Sequence, residues 1–243
     1  MERTCIITGA GGRLGSRLCE RLAGHYEVLG VYHRASPHCD SQIVRSIDVL
    51  ESQGHNRFPN RPVHLVKADL CDPRDIERIV EVCLARFNKI DLLINAAADL
   101  RFYGSLLHAS KFLAQAQKQI YLNSFAPILL AAAVGMNYWK DHPEDNRKAN
   151  RNIVNVSSIS GLNIYGGVGQ GFYSASKAAL NYLTCHLAID YEALGVRANA
   201  ICPSGFPDIV PTDLVVDEII KLDQSDMSGK VILVDKDNVC LTN

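Results

Sequence analysis

The sequence predicts an α/β domain: a doubly wound parallel sheet with helices on both faces. Three observations point there. Apolar runs of strand length alternate with stretches of helical period from one end to the other. A glycine-rich turn, TGAGGRLG (8–15), joins the first such run to the first helical stretch. No linker, repeat or low-complexity segment interrupts the 243 residues, so 1–243 reads as a single domain.

Seven strands are expected: CIIT (5–8), VLGVY (28–32), HLVKA (64–68), DLLIN (91–95), NIVNV (152–156), VRANAI (196–201) and KVILV (230–234). Amphipathic stretches lie between them. The one over 72–89 opens with Asp72-Pro73, a helix-start signature. The polar segments 54–62 and 141–152 read as surface connections.

Composition narrows the function. Apolar residues make up 47% and charged residues 21%, and the net charge is −1. No electrostatic case for nucleic acid or an anionic membrane arises from that balance. The apolar runs, PILLAAAVGM among them, fall short of a membrane span. MERTCIITGA leaves no room for a signal peptide's apolar region before glycine appears, so a cytoplasmic location is expected. Eight cysteines without a C-x-x-C pair read as reduced, mostly buried thiols, with no metal site.

The chemistry begins at the first turn. Glycines between a strand and a helix let backbone N–H groups approach a pyrophosphate, and the helix N-terminus adds partial positive charge. Gly9, Arg13, Leu14 and Gly15 are therefore cofactor candidates, and the fold expectation becomes Rossmann-like. The end of the second strand selects the nucleotide. An acid there would hold the ribose 2′-hydroxyl of NAD, whereas arginine accommodates a 2′-phosphate. The sequence reads VYHRAS, with His33, Arg34 and Ser36 and no carboxylate before Asp40. With Arg13 close in the turn, this argues for NADPH over NAD. Asp69 and Leu70 follow the third strand, where a carboxylate can accept from the adenine amino group. Asn95, Ala96 and Ala97 end the fourth, and small residues there leave room for the adenosine ribose.

Tyr173 and Lys177 stand four apart in YSASK, which puts them on one face of a helix. An ammonium at that distance is expected to favour the phenolate and make the tyrosine a better acid–base at neutral pH.

Taken together, TGAGGRLG, DLLINAAA, YLNSFAP, IVNVSSISG, YSASKAAL and VRANAICPSG resemble the short-chain dehydrogenase/reductase family, in its order and near its spacing, over nearly the whole chain. The resemblance implies that Tyr173 hands a proton to a carbonyl oxygen as hydride arrives. Lys177 would lower its pKa and bond the nicotinamide ribose. Asn123 would sit at a helix kink and hold a relay water, and Pro203 and Gly205 would turn against the nicotinamide. A serine after the fifth strand would hold the substrate oxygen. By motif it is Ser158; by distance to the tyrosine Ser160 is closer. Ser158 is preferred because it stands where the strand ends, with Ser157 the outsider. Arginine in the turn and YHR after the second strand are similar to pteridine reductases, which again implies NADPH.

The chain departs from its relatives where the substrate would sit. The segment between Pro203 and Ser228-Gly229 is short, so the pocket is left open or closed by 99–106, by 161–172 or by a partner chain. Phe102, Tyr103, Tyr165, Phe172 and Phe206 are candidate walls. The function expected is NADPH-dependent reduction of a small carbonyl compound, or a related C=N or C=C bond. The alternatives are a silent NADP(H)-binding sensor or scaffold and an NAD-dependent alcohol dehydrogenase. The apolar stretches 118–138 and 173–194 imply, by the resemblance, a homodimer or homotetramer.

Overall fold

A computed structural model describes residues 3–39, 41–43 and 63–242. Asp40 and the 54–62 connection lie outside these residues. The strands form one sheet in the order β3-β4-β2-β1-β5-β6-β7-β8-β9. The seven expected strands are β1 (Arg3–Thr8), β2 (Tyr26–Tyr32), β4 (Val63–Lys67), β5 (Leu92–Asn95), β6 (Asn152–Val156), β7 (Arg197–Pro203) and β8 (Val231–Val234). The count of seven is corrected by two short additions at the edges. β3 (Ser41–Ile43) is parallel to β4, and β9 (Val239–Leu241) runs antiparallel to β8. Eight strands are thus parallel and one is not. Three residues are too few for an alternating pattern, so neither edge strand left a mark in the sequence.

Successive strand residues point to opposite faces, and the core divides accordingly. Ile6, Leu29 and Leu93 join helices α2 (Pro73–Phe87), α4 (Ala126–Asn137) and α6 (Gly171–Asp190). Cys5, Ile7, Leu92 and Ile94 join α1 (Arg13–Leu22) and α7 (Thr212–Gln224) on the other face. Arg17 to Asp213 (2.6 Å) and Arg21 to Asp217 (2.7 Å) tie α1 to α7 across the surface. α2 starts as expected: Asp72 accepts from the Arg74 N–H and Pro73 opens the helix.

The segment 141–152 is more than a surface connection. It contains α5 (Pro143–Lys148), and both Asn146 and Arg151 are buried. Arg151 pairs with Asp91 at 2.9 Å and donates to the Asn146 side chain and to the Tyr138 hydroxyl. Those partners satisfy a charge that would otherwise be costly to bury.

By length and composition, the helical run Leu113–Asp141 could cross a membrane, yet 56% of its apolar window is buried inside the domain. Its first part is α3 (Leu113–Ile120), separated from α4 by a single π turn over Tyr121–Phe125. Pro127 follows at the start of α4 and has no N–H to give the Asn123 carbonyl four residues back.

The chain order reverses at β1, whose neighbours are β2 and β5. In open α/β sheets the crevice at such a point, beyond the strand C-termini, takes the ligand.

Candidate active site

At the C-terminal end of β1 the backbone is shaped by three glycines. Gly9 has φ +70, and a Cβ on it would lie 2.8 Å from the Ala97 backbone. A Cβ on Gly11 would lie 1.6 Å from the Ala35 carbonyl oxygen, and one on Gly15 would lie 2.1 Å from the Gly9 carbonyl oxygen. No side chain fits at any of them. Gly12 caps α1 without a side-chain hydrogen bond, so the first-turn N–H groups at Arg13, Leu14 and Gly15 face outward from an uncapped helix end. A cleft of about 510 Å³ lies over this turn, lined by Gly11, Gly12, Arg13, Ser16, His38 and Thr212, with Arg17 and Glu20 farther along α1. A cradle that a Cβ would fill, under a bare helix N-terminus, fits a dinucleotide pyrophosphate.

Arg13, Arg34 and Ser36 are exposed, and neither arginine makes an ion pair among the described residues. His33 lies 3.9 Å from Asp69, whose other oxygen accepts from the Cys71 N–H at 2.9 Å. The remaining cofactor candidates act by backbone or by size. Leu14 and Leu70 bury their side chains in the core. Asn95 also turns inward, donating to Asn155 at 2.8 Å, which in turn donates to Thr184 at 2.9 Å. Ala96 and Ala97 present N–H groups to the Thr8 hydroxyl at 3.1 and 3.2 Å, which ties β5 to the glycine turn.

Tyr173 stands in the first turn of α6 and is buried. Its hydroxyl stands close enough to the Ser158 side chain to be influenced by it. Burial raises the phenol's pKa, and the Ser158 side chain pulls it back down. No hydrogen bond joins the Lys177 ammonium to the phenol. The Lys177 ammonium instead donates to the Val156 carbonyl at 2.8 Å. Burial pushes its own pKa down to about 8. One of its three donors is thus used.

The three serines separate clearly. Ser158 meets Tyr173 and also accepts from the Ser160 N–H at 3.1 Å. Ser160 donates to Gln170 at 3.3 Å, and Ser157 donates to the Lys177 carbonyl at 3.2 Å. Asn123 lies in the π turn, the predicted kink. Its side chain is fully engaged: Oδ1 accepts from the Asp99 N–H (2.7 Å), while Nδ2 donates to the Asp99 carbonyl (2.9 Å) and to Ser176 (3.1 Å). Pro203 ends β7, and Gly205 follows with φ +54.

Several residues that hold this set together left no local sequence signal. Asp99 and Ser176 fix Asn123. Gly161 lets the loop after β6 pack on α6, where a Cβ would fall 2.7 Å from the Lys177 carbonyl carbon. Among the aromatic candidates, Tyr103 stacks on Phe112 (5.3 Å), and Phe112 meets Phe172 edge-on (5.9 Å). These rings pack a loop. Phe206 leans on the core, whereas Phe102 sits 5.5 Å from the Tyr173 ring. None of the eight cysteines is in a disulfide; Cys5, Cys19, Cys83 and Cys202 are buried and the other four partly exposed.

A phosphate cradle at the sheet's switch point, facing a Ser–Tyr–Lys cluster, defines an NAD(P)-dependent oxidoreductase. Residues 3–214 match the family model for short chain dehydrogenases, and the chain belongs to that family. It is 26% identical over 227 residues to the diacetyl reductase [(S)-acetoin forming] of Staphylococcus epidermidis, covering 93% of this chain and 79% of that one. A short chain dehydrogenase from Mycobacterium avium superposes with TM-score 0.78 at 23% identity, over 99% of this chain and 85% of that one. 4-Hydroxyisoleucine dehydrogenase, solved with NADH and succinate, gives TM-score 0.71 at 23% identity, over 96% and 97%.

Proposed function

We propose that this chain is an NADPH-dependent reductase of a small carbonyl compound, with Tyr173 as general acid. The observation that carries the reading is the buried Tyr173, under the influence of Ser158, on the same helix as the buried Lys177. The bound nicotinamide would supply hydride to the carbonyl carbon. The chain's own residues manage the oxygen. Two neighbouring hydroxyls can both turn to one substrate oxygen, Ser158 holding it and Tyr173 giving up its proton as negative charge develops. Lys177 stands ready to stabilise the phenolate that results and to bond the ribose. With its side chain engaged, Asn123 contributes its main-chain carbonyl, freed by Pro127, as the anchor for a relay water.

NADPH is preferred because Arg13, Arg34 and Ser36 stand free beyond β1 and β2, and the described end of β2 carries no carboxylate. A cytoplasmic location and a small-molecule substrate complete the proposal, as does self-association. Phe125, Leu129 and Met136 on one side, with Tyr182 and Ile189 on α6, leave apolar stripes for a second copy of the chain.

NADPH consumption with a panel of ketones, diketones and pterins tests the reading. Turnover is expected on at least one class. Tyr173→Phe should reduce it by about 10³-fold or more while NADPH affinity stays within a few-fold. Tight NADPH binding without any Tyr173-dependent turnover would favour a sensor.

A further inference from the structure

The segment between β7 and β8 holds only α7 and its flanking turns, so closure of the site must come from elsewhere. Two loops clasp each other beside Tyr173. The N–H groups of Tyr103 and Gly104 both donate to the Gly169 carbonyl, at 3.0 and 3.2 Å. Gly104 and Gly169 have φ +94 and +69, and a Cβ on Gly169 would lie 2.6 Å from the Gly104 Cα. The aromatic ladder Tyr103–Phe112–Phe172 backs the clasp from behind.

The root of the first loop is equally fixed. The buried Gln119 donates to the carbonyls of Asp99 (3.2 Å) and Arg101 (2.7 Å). Asn123 grips Asp99 from both sides, and Arg101 pairs with the Asp99 carboxylate. Phe102 therefore projects from a backbone held at 99, 101, 103 and 104. Its ring lies 5.5 Å from that of Tyr173, tilted by 54°, yet it stays 51% exposed. Leu106, Leu107, Ile164 and Val168 on the two clasped loops are also exposed. Exposed apolar side chains on two loops joined beside Tyr173 are the kind of surface that a ligand covers.

Resting on the reductase reading above, we infer that Phe102 is the specificity-determining wall of the site, and that the substrate is a carbonyl compound carrying an aromatic or bulky apolar substituent on the side facing Phe102. A flat or branched group there would stack on the ring and shed water from the rim. A methyl group would leave the ring wet. The clasp takes the place of a longer lid, holding the wall in position before substrate arrives.

The test compares 1-phenyl-1,2-propanedione with 2,3-butanedione. Binding is measured by calorimetry with NADPH present, in the Tyr173→Phe background so that neither is consumed. The phenyl diketone is expected to bind about tenfold tighter or more. Adding Phe102→Ala should shrink that preference to about threefold or less, while Phe102→Leu, which keeps apolar volume, should hold most of it. The unmutated chain should show the same ranking in kcat/KM. Equal binding of the two diketones, or a preference that Phe102→Ala leaves intact, would overturn the inference. If neither diketone is turned over by the unmutated chain but the Phe102-dependent preference persists, the reductase reading fails and the apolar site stands.

Discussion

The two sides of Tyr173 are built on different principles. On the cofactor side, backbone does the work. Gly9, Gly11 and Gly15 stand where a Cβ would collide with main-chain atoms, and α1 begins without a side-chain cap. On the substrate side, side chains from distant loops do the work. Phe102, Leu106, Ile164 and Val168 are exposed on loops that are brought together where the 103–104 N–H groups bond the Gly169 carbonyl. Backbone recognition leaves few residue choices, so it can be read from a motif. Side-chain recognition leaves many, so it can differ between relatives that share the cofactor turn. The tyrosine sits on the boundary, with Lys177 behind it and Phe102 in front.

That contrast can be broken or sharpened by experiment. The largest effect is expected at the boundary itself. Ser158→Ala should lower kcat by about 10²–10³-fold, the usual scale for losing one donor to a developing oxyanion. Ser160→Ala should cost little, because its hydroxyl faces Gln170. Steady-state kinetics of both variants decide the matter, and the opposite ranking would sink the Ser158 assignment.

Next comes the stability cost of Lys177. Its pKa in the folded chain is about 8, against 10.5 for the ordinary side chain. Between those values the unfolded chain holds a proton that the folded chain has released. Raising the pH through this window therefore favours folding, by up to about 3 kcal/mol. Urea unfolding of the intact chain and of Lys177→Met at pH 7.5 and pH 10 measures it. The stability of the intact chain relative to the variant should rise with pH. A flat or falling difference would mean the ammonium is better solvated than its burial indicates.

The smallest of the three belongs wholly to the cofactor side. Arg34→Ala should weaken NADPH binding by about tenfold and leave NADH nearly unchanged, since one exposed charge–phosphate contact is lost. Fluorescence titration with both nucleotides reads this directly. Equal affinity for NADH and NADPH in the intact chain would overturn the NADPH preference.

Much of the cofactor side was legible in the sequence because its determinants are local. TGAGGRLG is continuous, and Tyr173 and Lys177 share a helix. The roles of particular atoms were less so. Asn95 stands in the expected place but spends its side chain on Asn155, inside the sheet. Lys177 shares a face with Tyr173, yet its ammonium turns to Val156. Spacing gives the face of a helix; the rotamer is chosen by neighbours from other strands.

What the sequence determined by itself follows from short-range physics. The alternation of strand and helix periods set the parallel sheet and its two layers of helices. Glycines that exclude a Cβ marked the phosphate turn, and Arg13 in that turn with Arg34 after the second strand carried the expectation about the nucleotide. Tertiary structure alone decided which serine meets Tyr173, how Asn123 is held through Asp99 and Ser176, that Arg151 is buried on Asp91, and that two three-residue strands extend the sheet. It also decided that two loops some sixty-five residues apart, at Gly104 and Gly169, close on each other beside Tyr173. Each of these is a contact between residues far apart in the chain. Such a contact leaves no periodicity or spacing behind, because either partner alone is an ordinary serine, arginine or glycine.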